Sequence, residues 1–139
     1  MSDIKNLWPE ELLKGSDMLL PITIIQEQAK FLNEMTKNIV VAEVSTQSVS
    51  IAQKGSNETK PGILHTLKIV APAIGSYDFE LARIVQEHLL PYPVRIYAPL
   101  TEQKFEINNS EELEEALSTI FNDKKTIATI QGLILQSRQ

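Results

Sequence analysis

The chain contains no cysteine. That excludes a disulfide scaffold, a thiolate metal site and a cysteine nucleophile together, and it fits a reducing compartment. Glycine is scarce. The five present are too widely separated to build a dinucleotide or Walker-type phosphate loop. No Gly-x-Ser-x-Gly nucleophile elbow occurs. No apolar run approaches the length of a membrane span. The N-terminus carries Asp3, Lys5, Glu10 and Glu11 and lacks the apolar core of a secretory signal, so the expected location is the cytoplasm. Cations are few as well: 13 Lys and Arg stand against 18 Asp and Glu, a net charge of −5. Only Lys124 and Lys125 are adjacent. Phosphate backbones reward clustered cations, so general nucleic-acid binding is disfavoured.

What is present is ordinary globular material. The 139 residues are 42% hydrophobic and 22% charged, enough for one domain with its own core over 1–139. Residues 1–20 are expected as a packed N-terminal arm, with Pro9 opening a helical turn and Trp8 as the anchor. Pro21 opens a helix to about Lys37-Asn38, where Asn38 suits a left-handed stop. Ile22, Ile25, Ala29 and Leu32 form one apolar stripe on it, and Ile24, Phe31 and Met35 form a second beside it. β-Branched residues over 39–51 read as strand. Its apolar parity changes between Val44 and Val49, so one continuous strand calls for a bulge near Gln47-Ser48. A polar connection over 53–62 leads to an alternating strand over 63–71.

Ser76 suits a helix cap, and Tyr77, Leu81, Ile84 and Val85 have helical spacing, so a helix is expected over 77–89. Residues 94–98 read as a third strand and 104–107 as a short fourth. Asn109 with Glu112, and then Asp123, cap two final helices. The acidic run Glu111, Glu112, Glu114 and Glu115 suits the first turns of the first of these, where the helix dipole favours negative charge. The expected class is α+β, a mainly antiparallel sheet of three to four strands with helices packed on it, in the order α-β-β-α-β-(β)-α-α.

Chemistry-bearing residues are sparse. His65, mid-strand, and His88, near a helix end, are the two histidines, and core or surface roles suit them better than metal ligation; no metal and no cofactor are expected. The element order loosely resembles a nuclease core. That chemistry wants an acid, then an acid-x-lysine pair holding Mg²⁺. Glu102-Gln103-Lys104 has the letters, and Glu43 with Lys68 lies on the hairpin, so these four are the candidates for a degenerate metal-dependent hydrolase. Arg95 and Tyr97 share a strand face and are the candidates for a small-anion pocket.

Three stretches together, Pro21-Ile22-Thr23-Ile24-Ile25-Gln26-Glu27-Gln28-Ala29, Ile69-Val70-Ala71-Pro72-Ala73 with Tyr77 after it, and Leu90-Pro91-Tyr92-Pro93-Val94, resemble a type of small bacterial cytosolic protein. The resemblance implies a bacterial cytosolic origin. It brings no activity and no functional residues.

The surplus feature is apolar helix arc. Ile24, Phe31 and Met35 on the first helix, and Ile130, Leu133 and Leu135 on the last, exceed what one packed face requires. Large apolar patches seldom face water in monomers. The expected function is therefore a non-enzymatic interaction protein that self-associates, as a dimer, and binds a partner protein.

Overall fold

The computed structural model describes residues 3–13, 19–53, 55–87 and 90–138. It is an α+β arrangement. Helix α1 (Pro21–Met35) precedes five strands, β1 (Val41–Ala52), β2 (Thr59–Ala71), β3 (Tyr77–Gln86), β4 (Val94–Ala98) and β5 (Gln103–Ile107), and helices α2 (Ser110–Phe121) and α3 (Lys124–Ser137) follow. The strands form one antiparallel meander in the order β1-β2-β3-β4-β5.

Period-two alternation sorts the sheet into two faces. One row across it, Thr46–His65–Ile84–Ile96–Phe105, belongs to the helix-covered face. There Leu67, Ile69, Ile84, Ile96 and Ala98 are buried with Ile25, Leu113, Leu117 and Ile120 of the helices. The neighbouring row, Ser45–Thr66–Arg83–Tyr97–Lys104, belongs to an open, polar face.

Two expectations about the middle of the chain are corrected. Residues 77–86 form β3 rather than the start of a helix. A register shift against Leu67/Lys68 inserts one extra residue into β3, and the bulge buries both Leu81 and Ala82. Inward parity is odd before the bulge and even after it. That switch produces the spacing of Tyr77, Leu81 and Ile84, which together with Val85 on the open face imitates a helix. Ser76 is no cap: it follows Gly75 in a turn where both take positive φ, 58° and 60°. Conversely, β1 carries no bulge. Its register with β2 runs unbroken from Val41↔Val70 to Ala52↔Thr59. Val49 and Ile51 simply lie on the open face. Ile51 folds across Gly62, where a Cβ would stand 2.3 Å from Ile51 Cδ1.

The helix ends follow the sequence closely. Asn38 takes a left-handed φ of 63° and donates its N–H to Asn33 O at 2.9 Å. Asn109 Oδ1 accepts from Glu112 N at 2.9 Å, and Asp123 Oδ1 accepts from Lys125 N at 2.8 Å. The Asn33 side chain has a further task. It accepts from Ala42 N at 2.7 Å and donates to Ala42 O at 3.4 Å. One amide thus pairs both backbone groups of Ala42 on an edge strand, which would otherwise be open to pairing with another chain.

The described part of the arm is not packed as expected. Trp8 is 74% exposed, with Ile4, Leu7 and Leu13 also in solvent and only a short 3₁₀ turn over Glu10–Leu13. Apolar content alone could not distinguish an arm docked on its own body from one left uncovered.

Candidate functional site: an apolar groove between α1 and α3

Helix α1 buries both its stripes near its N-terminus, where Ile24 and Ile25 press on the core. Further along, Ala29 is small, and Phe31 and Met35 turn outward, 54% and 82% exposed. Across from them, α3 presents Ile127, Ile130 and Ile134. Between the two helices lies a cavity of about 290 Å³. Ala29, Phe31 and Leu32 form one wall, Phe121, Thr126 and Ile130 the other, and Leu67, Ile69 and Leu81 the floor. It continues into a second depression of about 480 Å³, which shares Leu32, Met35, Phe121 and Ile130. Lys37 and Arg138 line this outer half. The Thr126 hydroxyl on the wall is buried and has no hydrogen-bond partner among the described residues.

The expected contact residues divide accordingly. Phe31, Met35 and Ile130 line the groove. Leu135 is exposed on α3. Ile24 and Leu133 are corrected: both are buried in the chain's own core, at 5% and 8% exposure, and have no free surface to offer. A 100° projection places Ile24 on the outer stripe, but the helix lies low enough over the sheet to bury both stripes at that end. The sequence shows no sign of Leu81 as floor, because its strand imitates a helix.

The polar candidates do not assemble into one centre. Glu43 faces Lys68 across the β1–β2 ladder. Glu102 sits in the β4–β5 turn with φ 57°, next to Lys104 on β5. β1 and β5 are opposite edges of the five-stranded sheet, about 19 Å apart at the usual strand spacing. The acid and the acid-x-lysine letters therefore share no cleft. Lys68 instead pairs with Asp78 at 3.8 Å. Among the described residues, no group of three or more His, Asp or Glu side chains is placed to hold a metal ion.

Arg95 and Tyr97 do share the open face, with Lys104 5.8 Å from the Tyr97 ring centroid. Arg95, however, is ion-paired to Glu87, which Lys60 also meets at 3.5 Å. Glu106 stands directly opposite Arg95 on β5. The guanidinium is matched by carboxylates rather than held ready for an anion. His65 belongs to the other face. It is buried, shares a 2.9 Å hydrogen bond between its Nδ1 and Thr46 Oγ1, and lies within reach of Gln86. Burial pushes its pKa below the usual histidine value, and the Gln86 hydrogen bond opposes that in part. It is a neutral core histidine. His88 lies outside the described residues.

No described helix is long and apolar enough to cross a membrane. Comparison with protein-family models, curated proteins and solved structures finds no match for this chain.

Proposed function

We propose that this is a non-enzymatic interaction protein that forms a homodimer and engages partner proteins through the α1–α3 groove. The observation that carries the reading is the continuity of apolar surface from the buried floor at Leu67 and Leu81 out to Phe31 and Met35 on the rim. A rim of this kind is stable in water mainly when something covers it. The polar residues support the same reading by what they already do: they pair with one another on the open face or satisfy the core. A cytoplasmic, bacterial setting is part of the proposal. It is supported by the cysteine-free composition and by the resemblance noted above.

The test is light scattering coupled to size exclusion on the wild type, Phe31→Glu and Met35→Glu. Both side chains are largely exposed, so the folded chain tolerates the change. The wild type is expected as a dimer and both variants as monomers. Dimers in all three would assign the contact to another surface.

A further inference from the structure

The groove is one uncovered apolar surface of this chain, and the N-terminal arm is another. Ile4 and Leu7 are 92% and 89% exposed, with Trp8 and Leu12 also in solvent. These four are grouped over 4–12, a stretch that is not helical before the short 3₁₀ turn at Glu10–Leu13, and form a compact cluster of exposed apolar side chains. Asp3, Glu10 and Glu11 accompany them over 3–13, where Lys5 is the one cation. The outer half of the groove is walled by Lys37 and Arg138. Apolar anchors thus match an apolar trough, and carboxylates match the cations at its open end.

The Tyr92 hydroxyl donates to Leu19 O at 3.0 Å and ties the chain there to the β3–β4 connection. Helix α1 then runs fifteen residues before Met35, roughly 22 Å. The cationic half of the groove therefore lies a helix-length from the point where the arm leaves, within the roughly 36 Å that the residues between Leu19 and Trp8 can span, so the choice of copy rests on the exposure of the arm. Within one copy, the arm stands in solvent while its groove stays open.

We propose that the groove is filled by the arm of a second copy: Trp8 and its neighbours seat between α1 and α3 of the partner, which returns its own arm in kind. Reciprocal exchange about a two-fold axis closes as a dimer and covers both apolar surfaces at once. This rests on the self-association reading above and names its occupant.

Trp8 is the sole tryptophan, so its fluorescence reports the arm alone. A dilution series of the full chain is followed by Trp8 emission and by light-scattering mass together. The expected result is a dimer with short-wavelength emission that dissociates to a monomer with solvent-like emission, both signals sharing one midpoint. Leu7→Glu on the arm and Met35→Glu in the groove should each move that midpoint at least about tenfold to higher concentration, or about 1.4 kcal/mol. A dimer whose Trp8 emission stays solvent-like would overturn the arm as occupant and leave the self-association reading standing. A monomer with short-wavelength emission at every concentration would place the arm in its own groove and overturn the exchange. A monomer with solvent-like emission throughout would overturn both readings.

Discussion

Gly62→Ala adds a side chain where the neighbouring strands leave no room for one. The new Cβ would stand 2.3 Å from Ile51 Cδ1, 2.9 Å from Gln86 O and 3.0 Å from Ile51 Cγ1. Ordinary carbon contacts are about 3.5–4.0 Å, so Ile51 must retreat by more than about 1 Å. Its side chain can turn, but the Gln86 carbonyl is strand backbone and yields less. Overpacking of this kind costs about 1–3 kcal/mol. Replacing a strand glycine returns about 0.5–1 kcal/mol of backbone entropy. The net expectation is a loss of roughly 1–2 kcal/mol. With a urea slope of about 1–3 kcal/mol/M, the unfolding midpoint falls by roughly 0.5–1 M. Adding Ile51→Ala removes both side-chain clashes and leaves the carbonyl contact. The double variant should therefore be less destabilised than the sum of the two singles, with a coupling of about 1 kcal/mol. A Gly62→Ala protein as stable as wild type, with additive singles, would refute the packing of Ile51 across Gly62.

Three further outcomes are expected. Thr126→Val removes a buried hydroxyl that has no partner among the described residues and should raise stability by about 1 kcal/mol; a loss of similar size in thermal melts would show that the hydroxyl is bonded. Asn33→Ala strips both hydrogen bonds from Ala42 and should cost about 1–3 kcal/mol, while Asn33→Asp, which keeps the acceptor for Ala42 N, should cost less. Because burial lowers the His65 pKa from its ordinary 6.5, the unfolded chain takes up that proton first. The His65 contribution is then complete above about pH 6.5 and is lost as the pH falls through that value toward the lowered folded one. Urea midpoints across pH 5–8 should show this slope, and His65→Gln should flatten it; an unchanged slope in the variant would assign the effect to other groups.

Much of the fold is legible where one local rule governs. Pro21 at a helix start, Asn38 at its end, and the caps at Asn109 and Asp123 each act through nearby backbone groups, and each stands where the sequence puts it. The alternation of Ile63, His65, Leu67, Ile69 and Ala71 reads directly as β2. β3 is illegible for a specific reason. The bulge against Leu67/Lys68 changes its parity midway, and a period of two with one slip looks like a period near four. The groove is half legible. Phe31 and Met35 mark its rim by helical arc alone. Its floor at Leu81 and its wall at Phe121 and Thr126 come from elements brought together only by tertiary packing. The arm shows how burial depends on a partner surface: Ile4, Leu7 and Trp8 have the composition of a core and the exposure of a tail.

The central claim is that the α1–α3 groove is where copies of this protein meet. Sedimentation equilibrium of the wild type beside Met35→Glu tests it most directly, since Met35 lies on the groove rim and is 82% exposed. A reversible monomer–dimer equilibrium in the wild type, shifted at least about tenfold toward monomer by that one substitution, is the predicted result. A wild type that stays monomeric at the highest attainable concentration, or a dimer indifferent to Met35→Glu, would contradict it.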